Sequence, residues 1–317
     1  MQTFTEFFGC RYPIVAVAMN QVSDVNLAIA VTQAGGFPSI SIFNYHIARG
    51  VLGWDWIRAE IQRYKDAVGN CNFILSIGTE LLLDQEKPKV IQIIDDFKIS
   101  HVEIIAIDLH KENPEFLAAI NHWRTYLQGT GVKLILKAVH YPRDIENWLS
   151  WGDHQKMDAI GLKGPGGAGR VMTTNMTLEE MVTRCFGDYP GIPVISVGGI
   201  SNSDDVKRQL ELGVMAVGVG TLFAAAKESP VSEEAKRKMI SASVEQLSQL
   251  KTESPLNQNA LKFGEWLGPD NTNHTLSLRA GIKDGEKGHI FAGKSIDAIK
   301  EILPAKDIIK NLFDEGN

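Results

Sequence analysis

Two apolar runs of this 317-residue chain end in glycine and carry its clearest chemistry. One reads Pro193-Val-Ile-Ser-Val-Gly-Gly-Ile-Ser-Asn202, the other Gly213-Val-Met-Ala-Val-Gly-Val-Gly-Thr221. Glycine leaves backbone N–H groups uncovered, so an anion can approach them closely. Two such ends side by side suit a phosphate; the plainer alternative is a pair of tight turns. Other runs end in basic or imidazole groups: Lys137 and His140 after one, Lys163 and Gly164 after another, with Arg170 on the glycine-rich stretch that follows. A guanidinium there can pair with an oxyanion such as a carboxylate or phosphate, or lie on the surface of a flexible loop. His140, three residues beyond Lys137, can face the same opening and move a proton, or bond to backbone as loop imidazoles commonly do. Met19-Asn20-Gln21, Asn44-Tyr45, Ser76, Asp108 and His110 end further runs and would extend the same polar rim.

These residues share one rim only if a closed scaffold brings the run ends together. The runs are Tyr12–Ala18, Phe37–Phe43, Asn72–Gly78, His101–Asp108, Lys133–Val139, Asp158–Gly164, Pro193–Gly199 and Ala216–Phe223. Their near-continuous Ile and Val content predicts parallel strands buried on both faces. Helix patterns alternate with them. Ser23 is placed to cap a helix to Ala34, stopped by Gly35-Gly36; Asn113-Pro114 opens one with Phe116, Leu117, Ile120, Trp123 and Leu127 on one stripe; Thr177 and Glu180 form a capping box. Eight βα alternations predict an α/β fold, a (β/α)8 TIM barrel, whose usual length is ~250 residues and whose chemistry sits at the C-terminal strand ends. Loops after strands seven and eight are the usual phosphate site of such a barrel, and the two glycine runs fall there. The excess length follows strand 8. Residues 1–223 and 289–317 are expected to form the barrel, and 224–288 an insertion that serves as a substrate-binding cap. That insertion reads as a helix, Val231–Leu250, then a polar irregular tract, Asn257–Asn273. A helical pair, Ser295–Leu303 and Ala305–Phe313, split by Pro304, closes the chain.

Composition narrows the class. The chain is 44% hydrophobic and 22% charged with a formal net charge of −6, which excludes disorder and argues against nucleic-acid binding through a broad basic face. Its apolar stretches are too short for a membrane span, and the start lacks a secretory pattern. Cys10, Cys71 and Cys185 fit neither a disulfide framework nor zinc spacing, so no metal is expected and a cytoplasmic setting is. The oligomeric state is not legible.

Three segments together resemble the nitronate monooxygenase (2-nitropropane dioxygenase) superfamily, which includes flavin-dependent enoyl-acyl-carrier-protein reductases. They are Pro13-Ile-Val-Ala-Val-Ala-Met19 with Leu27–Gly36, then Val194–Ile200 through Gly220-Thr-Leu-Phe223 and Glu228-Ser-Pro230, and finally Gly288–Gly293 through Ile302–Lys306. The resemblance implies FMN on a TIM barrel, its phosphate at Gly198, Gly199, Gly220 and Thr221, with Gly218 and Val219 alongside. It puts Met19 and Asn20 near the ring system, adds Gly164 to the cofactor-binding residues, and places Ser76 where many members carry Asn. Lys137 matches a strand-end lysine of several members. A cation near flavin N1/O2 stabilises the anionic reduced ring; the alternative for Lys137 is a buried ion pair with a strand carboxylate such as Asp108.

One departure from the family matters. Its sixth strand usually runs into Gly-x-Glu-Ala-Gly-Gly-His, where His acts as a base or positions the substrate. Here the stretch is Asp158-Ala-Ile-Gly-Leu-Lys-Gly-Pro-Gly-Gly-Ala-Gly-Arg170, about two residues shorter, with Ala168 in the place of His. Alanine cannot move a proton, so simple alkyl nitronates are expected to react weakly unless His140, His110 or Lys163 takes over. The leading expectation is an FMN-dependent oxidoreductase of nitronate monooxygenase type with an altered small-molecule substrate and NAD(P)H or O2 as redox partner. Its alternatives are an NAD(P)H-dependent enoyl-thioester reductase, a non-flavin phosphate-binding barrel lyase or isomerase, and a flavin-binding protein without catalysis.

Overall fold

The computed structural model describes residues 3–48, 51–78, 87–105, 122–123, 125–150, 157–251, 257–263 and 274–314. Eight parallel strands close into a barrel: β1 (Ile14–Ala16), β2 (Phe37–Ser41), β3 (Ile74–Gly78), β4 (His101–Ile105), β5 (Lys133–Ala138), β6 (Ala159–Lys163), β8 (Val194–Val197) and β9 (Ala216–Val219). Each pairs with its neighbour in that order, and β9 returns to β1, with Ile14 opposite Val217. All eight anticipated strands are present, most trimmed at their ends. The eighth stops at Val219 because Thr221–Ala224 turns helical.

The strands bury both faces, which is why they read as unbroken apolar runs. Ile14, Ile40, Leu75, Leu134, Leu136 and Ile160 point out into the helices. Val15, Phe37, Ile74, Ile135, Ala159, Ile195 and Ala216 point inward and pack with Phe4, Phe7 and Phe8. Each large apolar side chain so buried contributes roughly 1.5–3 kcal/mol.

Helix α1 (Phe4–Phe8) lies across the N-terminal mouth of the barrel, held in register by a Thr3/Glu6 capping box. Helix α2 (Val25–Gln33) starts at Asp24, whose carboxylate accepts from the Leu27 N–H at 3.0 Å. Ser23, expected as that cap, braces the strand end instead: its Oγ accepts from Met19 N at 2.8 Å and donates to Val17 O at 3.1 Å. A carboxylate one residue on outcompetes the hydroxyl because it also complements the helix dipole. Helices α3 (Trp54–Val68), α4 (Lys87–Phe97) and α5 (Arg143–Leu149) follow strands 2, 3 and 5. Helix α6 (Leu178–Asp188) begins at the Thr177/Glu180 capping box as anticipated. Helix α7 (Ser203–Glu211) links β8 to β9, and α8 (Thr221–Ala224) follows β9 directly. The start of the helix anticipated at Asn113-Pro114 lies outside the described residues, but residues 122–123 and 125–130 are helical and Trp123 and Leu127 of its stripe are fully buried.

The region after strand 8 departs most from expectation. The helix anticipated over Val231–Leu250 ends early, as α9 (Glu233–Ser241), and its last four residues fall in strand β10 (Leu247–Lys251). Part of the anticipated irregular tract is strand β11 (Asn257–Phe263). Both strands pair antiparallel, Leu247 opposite Leu261. On its other edge β11 pairs with β7 (Gly169–Val171), which follows β6, through Asn257–Asn259, and with β12 (Gly288–Phe291) through Ala260–Phe263. Helix α10 (His274–Lys283) packs on β12. Residues 294–298 form a 3-10 turn where a longer helix was expected, while α11 (Ala305–Phe313) matches its anticipated bounds. No helix among the described residues is long and apolar enough to cross a membrane.

Candidate active site

At the C-terminal mouth the strand ends surround a cavity of about 450 Å³, within the usual range for small-molecule sites. Met19 and Asn20 of the first strand end line it, with Gln21 beside them. Gln21 sits in the left-handed region at φ 63, unusual for a residue with a Cβ. It is held there by its N–H donating to Asn44 Oδ1 at 2.5 Å, while Asn44 Nδ2 donates to Ser23 O at 2.6 Å. The Gln21 side chain accepts from Arg279 Nε of α10 at 3.3 Å, so the first strand end and the overlying helix are tied together.

Gly198, Gly199, Gly218, Val219, Gly220 and Thr221 all line the cavity. Gly198 and Gly199 have φ of +110 and +84, and both need glycine for the backbone alone. A Cβ on Gly198 would also stand 2.9 Å from Gly167 N, so this residue serves close packing of two loops. Gly199 is more open, its nearest Cβ neighbour being Gly166 Cα at 3.7 Å. Thr221 Oγ1 accepts from Gly293 N at 3.0 Å and keeps its own hydroxyl proton to donate.

Lys137, Lys163 and Arg170 also line the cavity, and no Asp or Glu does among the described residues. The compensating carboxylate lies below. Glu103 is 5% exposed in the barrel interior, where Oε1 accepts from Lys137 Nζ at 3.2 Å and from Ser76 Oγ at 2.8 Å. The ion pair anticipated for Lys137 therefore exists, formed with Glu103; Asp108, the carboxylate named for it from sequence, lies outside the described residues. Glu103 sits two pairs below Lys137 in register, with Ile105 opposite Lys137 and Glu103 opposite Ile135. Sequence reading missed Glu103; a carboxylate inside the apolar run His-Val-Glu-Ile-Ile was the available signal.

The loop after β6 is fastened at every carbonyl from 164 to 168. Gly167 N bonds to Gly164 O at 3.2 Å, and Lys294 N to Gly166 O at 2.9 Å. Asn259 Nδ2 donates to Gly167 O at 2.9 Å and Pro165 O at 3.4 Å. Lys163 Nζ donates to Ala168 O at 2.5 Å. Burial, together with the Lys137 and Arg170 cations and against the pull of Glu103, pushes the Lys163 ammonium down to about 7.

Three anticipated site residues do not line the cavity. His140 stays in the turn ahead of α5, its N–H held by Asp144 Oδ2 at 2.7 Å. Ser76 is committed to Glu103 beneath the floor. Gly164 faces outward, where a Cβ would strike Leu178 at 2.9 Å. The rim position His110 lies outside the described residues. Among the described residues no group of three or more His, Cys, Asp or Glu could hold a metal ion.

Residues 129–315 match the family model described as nitronate monooxygenase. A curated relative, the (3aS,4S,5R,7aS)-5-hydroxy-7a-methyl-1-oxo-octahydro-1H-indene-4-carboxyl-CoA dehydrogenase of Mycobacterium tuberculosis, is 24% identical over 76% of this chain and 60% of its own length. The chain spans 27% and 60% of the length of two curated relatives it matches. Among solved structures, FabK from Thermotoga maritima superposes with a TM-score of 0.76 at 23% identity, covering 98% of this chain and 95% of its own. Nitroalkane oxidase from Streptomyces ansochromogenes gives 0.70 at 17% identity over 97% and 96%. At these identities the two superpositions establish the barrel and its closure, and nothing finer.

Proposed function

Because the chain belongs to the nitronate monooxygenase family, we propose that it is an FMN-dependent oxidoreductase acting on a small substrate that is, or becomes, an anion. The observation that carries this reading is the cavity wall, where two glycine-rich strand ends and three basic side chains meet without a lining carboxylate among the described residues. The residues present fit FMN. Gly199, Gly220 and Thr221 would hold the phosphate through uncovered N–H groups and a free hydroxyl proton. Met19 and Asn20 would flank the ring system, and Lys137, fixed by Glu103, would face its electron-accepting end. Bound FMN supplies two-electron redox chemistry. Arg170, on β7, would bind an anionic substrate group by paired N–H donors. The antiparallel sheet over the mouth, most of it from residues 224–288, would serve as the cap that excludes water.

The redox partner is O2 or NAD(P)H, and the setting is the cytoplasm. The test is the absorbance spectrum of the purified protein before and after FMN is added, followed by anaerobic mixing with NAD(P)H. Flavin bands are expected. A protein that stays colourless with FMN overturns the reading in favour of a phosphate-binding lyase or isomerase, and rapid bleaching by NAD(P)H selects NAD(P)H over O2 as the partner and narrows the reading to an enoyl-thioester reductase.

A further inference from the structure

Ala168 cannot carry a proton, yet its own carbonyl is in contact with an amine. Lys163 Nζ donates to Ala168 O at 2.5 Å while the side chain lines the cavity. Gly167 makes room for this approach, since a Cβ there would stand 2.9 Å from Lys163 Cε. The charged groups acting on Lys163 come from three strands: Lys137 of β5, Glu103 of β4 and Arg170 of β7. Glu103 is already bonded to Lys137 and Ser76. Two interior lysines thus share one carboxylate, and the unpaired one is the easier to neutralise. A neutral amine can give one N–H to Ala168 O and still aim its lone pair into the cavity.

We propose that Lys163 is the catalytic base of this site, taking a proton from a carbon acid whose C–H stands beside a nitro or carbonyl group. The C–H bond breaks, the proton goes to Nζ, and the electron pair stays on the substrate, spread onto the oxygen of that group. The new negative charge faces Arg170 and Lys137, and the neutral amine becomes an ammonium, so no charge is created overall. This assignment rests on the flavin-oxidoreductase reading, because FMN is the acceptor for the substrate's two electrons. The ammonium value near 7 agrees with it, since a base works best close to the ambient pH.

The test uses the full chain. In ¹³C-lysine NMR of the apo-protein, the resonance lost in both Lys163→Met and Lys163→Arg is expected to titrate near pH 7. With FMN loaded and nitroethane as probe, Lys163→Arg separates the two roles. Arginine still donates to Ala168 O but does not shed its proton, so a holding role would survive and a base would not. Loss of ~10²–10⁴-fold in kcat with FMN content unchanged is expected, and adding Ala168→His to the Lys163→Met background should recover part of it. A Lys163 resonance that titrates only above pH ~9, near the ordinary lysine value, a Lys163→Arg variant of near-native kcat, or no turnover of nitroethane by the yellow wild type overturns the assignment. Failure to take up FMN overturns the flavin reading instead, and the titration, read without flavin, keeps the two failures apart.

Discussion

At the N-terminal mouth of the barrel Phe4, Phe7, Phe8 and Phe37 close over His101, whereas at the C-terminal mouth Lys137, Lys163 and Arg170 stand around a cavity. Both ends bury a titratable nitrogen, and they do opposite things with it. His101 stacks on Phe8 at 5.1 Å and makes two bonds, Nε2 to Phe7 O at 2.9 Å and Nδ1 to Ser100 Oγ at 2.8 Å. A carbonyl can only accept, so Nε2 carries the proton and Nδ1 accepts from the hydroxyl: one neutral tautomer, fully used. Lys163 has one carbonyl partner and an open cavity beside it. Burial of a nitrogen base alone does not mark a reactive site; the lower mouth spends it on closure, and the upper mouth leaves it access.

The largest expected effect breaks the upper mouth alone. Gly220→Asp puts a carboxylate against the proposed phosphate site at a residue whose φ is not positive, which avoids the backbone strain of Gly199→Asp. Two like charges ~4 Å apart near a protein surface repel by about 4 kcal/mol, so FMN affinity should fall by roughly three orders of magnitude. Fluorescence titration with FMN checks this, with thermal unfolding as the control for an intact barrel. Native affinity in the variant removes the phosphate from this loop.

Breaking the lower mouth should do the reverse. Phe8 is 2% exposed and touches Phe4, Phe7 and Phe37 with ring centroids 4.5–5.1 Å apart. Phe8→Ala should cost ~3–5 kcal/mol in denaturant unfolding and leave FMN affinity unchanged. A parallel loss of FMN affinity would mean that the two ends are one cooperative unit.

Acid sharpens the same contrast. Burial pushes His101 down to about 4 from an ordinary 6.5, so the folded protein resists a proton that the unfolded chain accepts. The stability His101 contributes is complete above pH 6.5 and is lost as pH falls from there towards 4, on the order of 3 kcal/mol in total. His101→Leu should flatten that part of the stability profile, measured by unfolding between pH 4 and 7. An unaltered acid slope would assign the loss to carboxylates elsewhere.

The eight strands, the capping box of α6 and the bounds of α11 were legible because each depends on neighbours in sequence. The cap was not. Leu247–Lys251 and Asn257–Phe263 are rich in Gln, Asn and Lys, and they become strands only by pairing with each other and with Gly169–Val171, some 90 residues away. Ser76 and Lys137 were picked out singly, but their meeting at Glu103 depends on the register of three strands. The altered loop was legible as an absence, since Ala168 cannot do what histidine does. The nearness of Lys163 to it was not, because five residues of glycine-rich chain can fold many ways until Asn259 and Lys294 fasten them.

Asn259 gives the smallest effect and the most local one. It belongs to β11, and its amide reaches across to Pro165 O and Gly167 O in the loop after β6. Asn259→Ala deletes both donations and leaves the loop tied by Lys294 N to Gly166 O and by Lys163 to Ala168 O. A net loss of about 1 kcal/mol is expected, typical of one neutral hydrogen bond with a longer second contact. Amide hydrogen exchange should rise over residues 166–171, while the lower strands and α1 keep their protection. With its carbonyl anchor loosened, Lys163 should also shift its titration. Uniform exchange across the loop and the barrel would mean that Asn259 supports the whole fold, and the two mouths would then lose the independence argued for them.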